Sequence, residues 1–76
     1  MKYQMLHTLL KHAEANVQLH KMNIRTYLVN PAGIGEHSDI TDAIQVEIDK
    51  ISRYHDQIEV INTYLRDKKH PIQLDE

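Results

Sequence analysis

Histidine is the residue type in this sequence best suited to chemistry, because it binds metals and titrates near neutral pH. The chain has six histidines in 76 residues. No two of them are three or four positions apart, the spacing that places two ligands on one face of a helix. The nearest approaches to a ligand pair are His55 with Glu59 and Asp67 with His70. We predict no metal site, and these four residues are the candidates if one exists.

A second possible source of chemistry is the pair His55–Asp56, which is similar to the paired ligands of metal phosphohydrolases of the HD type. Those enzymes need further His and Asp ligands from other helices, and a larger helical shell than 76 residues can provide. The chain has no cysteine, and its sequence shows no motif that would combine a nucleophile with a general acid and a general base. We predict a protein that is not an enzyme, with no catalytic residue and no cofactor; the alternative is a metal-dependent hydrolase.

The segment 30–38 holds both glycines and is a candidate contact site for a ligand or a partner. Backbone N–H groups at such a turn and at the following helix N-terminus can face an anion. However, the segment follows a helix instead of a strand and lacks the phosphate-binding motifs of nucleotide sites. We favour a tight turn in which Ile34 covers the end of the helices, with anion, nucleotide or metal binding as the alternative function. The candidate loop residues are Asn30, Pro31, Gly33, Ile34, Gly35, His37 and Ser38.

The residues before this segment predict a first helix over about 3–29. Apolar residues recur every three or four positions and form a heptad seam interrupted by one histidine. The helix should end near Val29 or Asn30, because Pro31 disfavours the helical conformation of the residue before it. The seam consists of Tyr3, Leu6, Leu10, Ala13, Val17, His20, Ile24 and Tyr27.

The residues after the loop predict a second helix over about 39–69, capped by Ser38 or Asp39 and ended before Pro71, with a tail over 70–76. A thinner apolar line runs along its flank and could meet another subunit; it comprises Ala43, Val46, Val60 and Tyr64. The main seam drifts by one position near Glu47 and Ile48. It consists of Ile40, Ile44, Ile48, Ile51, Tyr54, Ile58, Ile61 and Leu65.

Two helices of similar length joined by a short loop predict an all-α antiparallel hairpin that forms one domain over 1–76. A chain this short without cysteine has few means of stabilising itself alone, so we expect self-association into a four-helix bundle or a larger helical oligomer. His20 either fixes register, with pH-dependent assembly, or is half-exposed at a flaring end. The oligomer seam is predicted to contain Leu6, Leu10, Val17, His20, Ile24, Ile44, Ile51, Ile58, Ile61 and Leu65.

Composition narrows the possible partners. Nine Lys and Arg against eleven Asp and Glu give a formal charge of −2, with no basic block for a nucleic-acid backbone. No apolar run approaches the roughly 20 residues needed to cross a bilayer, and the N-terminus lacks a signal-peptide core. We expect the cytoplasm as the compartment, and the protein itself and another protein as partners, with neither membrane nor nucleic acid.

Residues 30–40, followed by the pattern over 43–51, resemble small helical proteins encoded by tailed phages of marine bacteria. In those proteins a similar Asn-Pro-x-Gly-Ile-Gly-Glu-His segment joins two predicted helices, and the similarity covers roughly residues 23–65. The resemblance implies a phage accessory protein that acts in the host cytoplasm or in the virion. It implies no particular activity and no catalytic residue.

Overall fold

The computed structural model describes residues 2–30 and 37–66, with side chains over 3–30 and 39–66. Helix α1 spans Lys2–Val29 and helix α2 spans His37–Val60, and a π-helical turn, Ile61–Leu65, follows α2 directly. The described part of the chain contains no strand. His12 of α1 contacts Tyr54, whereas His20, two turns later, contacts Glu47, so the helices run antiparallel. The predicted all-α hairpin is confirmed.

Helix α1 matches its predicted bounds and seam. Its sequence is rich in Leu, Met, Lys, Gln and Ala, which favour the helical state. All eight seam positions are buried or half-buried, and Ala13 is fully buried. Because these positions share one face, α1 packs on α2 through the heptad stripe that its sequence indicates.

Within His37–Val60, helix α2 differs from its predicted seam at Ile48. Glu47 is 4% exposed, whereas Ile48, which we expected inside, is 44% exposed. The structure thus follows a strict alternation of four-residue and three-residue steps from Ile40, in which Glu47 holds the core-facing place. The prediction of Ile48 was wrong because it followed hydrophobicity where the heptad spacing was the better guide.

The end of α2 also differs from its prediction. A helix to about residue 69 is excluded by Arg66, which is extended, and its N–H donates to the carbonyl of Ile61 at 2.9 Å. Four of the five residues of the π-helical turn, Ile-Asn-Thr-Tyr, have lower helix propensity than Ala or Leu. The five-residue π turn rotates the chain, so Leu65 lies 49% exposed and not at the predicted seam.

Helix α2 begins at His37, two residues earlier than predicted. Asp39 lies in its first turn, where a negative charge interacts favourably with the helix dipole. Ser38 and Asp39 are therefore inside the helix and do not precede it as a cap. The predictions for Pro31, Gly33, Ile34 and Gly35, and for the side chains of His37 and Ser38, lie outside the described residues.

The core of the hairpin is thin. Among the described side chains, the buried apolar residues are Ala13 and Ile61, and none of the large side chains is completely buried. Neither described helix combines the length and apolarity that a membrane span requires. Large apolar side chains that are at least 44% exposed are Met5, Leu9, Leu19, Met22, Leu28, Val29, Val46, Ile48, Val60, Tyr64 and Leu65.

Candidate functional site

The buried part of the helix interface contains a polar cluster, which we define as His20, Asn23, Glu47 and Tyr54. The Nδ1 atom of His20 lies 3.4 Å from Oε1 and 3.3 Å from Oε2 of Glu47. Asn23 donates a hydrogen bond from Nδ2 to Oε1 of the same carboxylate. Glu47 on α2 is therefore held by two side chains of α1 that lie one turn apart.

The heptad positions of His20 and Glu47 explain why these polar residues are buried. Both occupy core-facing places, and their side chains are 10% and 6% exposed. Burial raises the pKa of Glu47, but the hydrogen bonds from Asn23 and His20, with electrostatic interactions from His20 and Lys50, outweigh burial and leave the pKa below its ordinary value. The carboxylate is thus stabilised in its charged form inside the interface.

Tyr54 completes the cluster by bridging two histidines of α1. Its ring stacks on His20 with a centroid distance of 6.1 Å and an interplanar angle of 11°. His12 meets the same ring edge-on at 5.8 Å, and the Arg53 guanidinium carbon lies 5.9 Å from the ring centroid. Contacts of this kind contribute about 0.5–1.5 kcal/mol each beyond their buried area. These contacts hold Tyr54 against about two turns of α1, from His12 to His20.

The chemistry of the cluster is recognition between helices. An ionised carboxylate only accepts hydrogen bonds, so Nδ1 of His20 carries the proton that it shares with Glu47. No buried side-chain N or O atom of the described residues lacks a hydrogen-bond partner. A satisfied polar group at a core position disfavours a shift of one helix along the other, because any shift separates the partners. The cluster thus fixes the register of the hairpin.

The predicted metal candidates do not form a cluster with these residues. His55 and Glu59 form an exposed pair at 3.2 Å, while Asp67 and His70 lie outside the described residues. Within the described residues, no three His, Asp or Glu side chains are placed to share a metal ion. His55 and Asp56 likewise belong to no group of three potential metal ligands in that part of the chain.

The two broad faces of the hairpin differ in character. By helical position, one face carries the ion pair between Lys11 and Glu14 at 3.0 Å and the pair between His55 and Glu59. The opposite face carries a groove of about 370 Å³, and the groove is largely apolar. We call it the apolar groove; it is lined by Leu9, His12, Asp56, Gln57, Val60 and Ile61.

Sequence reasoning identified His20 and placed Tyr54 in the α2 seam, but it missed Glu47 and Asn23. A signal was available for Glu47, since heptad counting from Ile40 places it opposite the α1 seam. No comparable signal identified Asn23, which lies beside the α1 seam.

No family model matches the chain, and no curated protein or solved structure is significantly similar to it.

Proposed function

We propose that this protein is a small, non-enzymatic helical interaction protein that self-associates and binds another macromolecule. The supporting observation is the imbalance between core and surface. Ala13 and Ile61 are the buried apolar residues of the described chain, while eleven large apolar side chains are at least 44% exposed. An exposed apolar surface of this kind is typical of proteins that bind other chains.

The energetics of a two-helix hairpin support the same proposal. Burial of apolar surface contributes about 25 cal/mol for each Å² removed from water, and this is the main term that opposes the loss of chain entropy. The hairpin measures 51 × 21 × 14 Å, so every described residue lies near solvent. A second hairpin would cover one broad face of the first and remove exposed apolar side chains from water.

The apolar groove is the favoured contact region. Leu9 and Val60 form its rim with 55% and 46% exposure, and Tyr64 lies one turn beyond Val60 with 76% exposure. Aromatic and aliphatic side chains next to a depression are common anchors of protein interfaces. The opposite face is more polar, and its exposed pairs Lys11–Glu14 and His55–Glu59 interact favourably with water.

The resemblance to phage proteins gives the proposal a biological setting. We propose a phage accessory protein in the host cytoplasm or in the virion, in agreement with the expected cytoplasmic location. Its second partner would be a protein, because the chain carries a net charge of −2 and no basic block. Self-association would present two or more copies of the same surface to that partner.

Unfolding measured over a range of protein concentrations tests self-association. If folding is coupled to assembly, the melting temperature of the wild-type chain should rise as concentration increases, for example over a hundredfold range. A melting temperature that is independent of concentration, together with a monomeric mass, would contradict the proposal. Zinc and inorganic phosphate should leave the melting temperature unchanged, whereas a rise with either would favour the ligand-binding alternative.

A further inference from the structure

We infer that residues 67–76 return along α2 and place Ile72 and Leu74 in the apolar groove of their own chain. These residues lie outside the described part of the chain, and we base the inference on their sequence and on the place where they begin. The contact itself is independent of self-association. Its consequence, a competition between residues 67–76 and a second copy for the groove, rests on the function proposed above.

Residues 67–76 begin beside the groove. Ile61 lines the groove and opens the π-helical turn, and Arg66, five residues later, is extended, so the chain leaves the helix there. The α2 residue of the groove that lies farthest from Arg66 is Asp56, ten residues earlier and about 15 Å away along the helix. The whole groove therefore lies close to the point where these residues start.

The number of residues is sufficient for a return to the groove. A four-residue turn over 67–70 reverses the chain, and Asp is a favoured first residue of such a turn, as Asp67 would be. Pro71 then favours an extended conformation of His70. The six residues 71–76 span about 20 Å when extended, which exceeds the distance from Arg66 to Asp56 along the helix.

The aliphatic residues of this range suit the groove. Ile72 and Leu74 are two positions apart, so an extended chain presents both on one side and Gln73 on the other. With the turn over 67–70, Ile72 comes level with Ile61 and Leu74 comes level with Val60, to within about one helical turn. The two side chains would then cover the largely apolar surface of the groove.

The charges of residues 67–76 agree with this course. Lys68 and Lys69 lie in the turn beyond the end of α2, where positive charge interacts favourably with the helix dipole. Glu76 points to the same side as the two aliphatic residues and comes within about one helical turn of Arg53, which has the opposite charge. By the same alternation, Asp75 points away from the helix.

The covalent link favours residues 67–76 over a second copy as the occupant of the groove in dilute solution. A ligand joined by a short connection has an effective concentration in the millimolar range, well above a micromolar concentration of free chains. The entropy cost of ordering these residues offsets much of the apolar burial, so we expect a weak contact. If it fills the groove roughly two-thirds of the time, it weakens the binding of a second copy about threefold for each groove.

A spin label tests the contact within one chain. The chain contains no cysteine, so Gln73→Cys carries a single label, and position 73 faces away from the groove. When labelled chains are diluted into an excess of unlabelled chains, the methyl signals of Leu9 should broaden. The broadening should fall several-fold when the same labelled chain also carries Ile72→Ser and Leu74→Ser.

Two results of the spin-label experiment would overturn the inference. The first is a broadening of the Leu9 signals that is the same with and without Ile72→Ser and Leu74→Ser, because mere proximity of the label would then explain it. The second is a broadening that disappears on dilution into unlabelled chains. That result would place residues 67–76 in the groove of a second copy.

The affinity of self-association tests the competition in the full-length chain. Ile72→Ser with Leu74→Ser frees the groove and should tighten a dimer about tenfold, because each of two grooves contributes about threefold. Gln73→Ser is the matched control, since position 73 faces away from the groove, and should leave the affinity unchanged. Sedimentation equilibrium measures the affinities, and circular dichroism establishes that the helix content is retained. Equal or weaker association of the double variant would contradict the competition.

The outcomes separate this inference from the proposed function. If the wild-type chain and the double variant are both monomers at all concentrations, self-association is wrong, and the Leu9 signals still decide whether the contact exists. If the chains associate equally and the Leu9 signals do not depend on Ile72 and Leu74, the contact is wrong and self-association stands.

Discussion

The middle of the hairpin differs from its end near residues 60–65, because polar side chains are buried in the middle and apolar side chains are exposed near the end. In the middle, His20 and Glu47 are 8% and 4% exposed and hydrogen-bonded. Near the end, Leu9, Val60 and Tyr64 are exposed, and α2 gives way to a π-helical turn. The part with buried polar groups fixes how the two helices of one chain pair, and the part with exposed apolar groups is the surface that we propose for contact with another chain.

The physical reason for this division lies in the directionality of the interactions. A hydrogen bond requires defined distances and angles, so Glu47 with His20 and Asn23 specifies one register. Apolar contacts are roughly proportional to area and tolerate small shifts, so they contribute affinity with less specificity. A hairpin with few buried apolar residues therefore gains definition from the polar cluster, and we expect it to gain stability from association.

The largest effect on the middle region should come from Glu47→Leu. This change leaves the buried His20 and the half-buried Asn23 without their shared acceptor, which costs about 1–3 kcal/mol. The double variant Glu47→Leu with His20→Leu should recover part of this loss, because an apolar pair replaces the polar one. Urea unfolding of wild type, both single variants and the double variant gives the coupling energy. A coupling energy near zero would contradict the role of the pair.

The end region should respond to loss of apolar surface, with a smaller effect. Leu9→Gln should weaken association by about 1 kcal/mol per copy, because the side chain that rims the apolar groove loses its hydrophobic area. Leu28→Gln is a matched control, since Leu28 is 65% exposed and lies elsewhere on α1. Equilibrium sedimentation of the two variants compares them. If both variants weakened association equally, the apolar groove would not be the contact region.

These two regions also differ in how well the sequence predicted them. The hairpin and the α1 seam could be predicted from the spacing of apolar residues. Leu10, Val17 and Ile24 are seven positions apart and therefore lie on one face of α1. Glu47 was missed because a charged residue in a seam reads as a break until its partner is known, and His20 lies 27 residues away. The end of α2 was missed because the apolar spacing continues through Ile61 and Leu65, although the residues between them favour the helical state less than Ala or Leu does.

The charge state of the middle region should make stability depend on acid pH. The pKa of Glu47 lies below its ordinary value of 4.5, so the charged carboxylate stabilises the folded state above that pH. As the pH falls from 4.5 through the folded pKa, this contribution is lost. The difference in unfolding free energy between wild type and Glu47→Gln should shrink over that range. A difference that stays constant from pH 7 to pH 3 would contradict the assignment.

The smallest effect is expected on the polar face. His55→Ala removes an exposed pair with Glu59 and should change stability by about 0.3–0.5 kcal/mol or less. Its effect on association should be smaller than that of Leu9→Gln. If His55→Ala instead abolished a metal-dependent hydrolytic activity, the alternative of a hydrolase would replace the present proposal.

Self-association is best tested by the molar mass of the wild-type chain, measured by light scattering on a sizing column with and without chelator. We predict a dimer or a larger oligomer whose mass is unchanged by chelator, because apolar surface and not a metal joins the copies. A well-folded monomer near 8.9 kDa would contradict self-association. Dissociation by chelator would contradict the apolar interface and support a shared metal site.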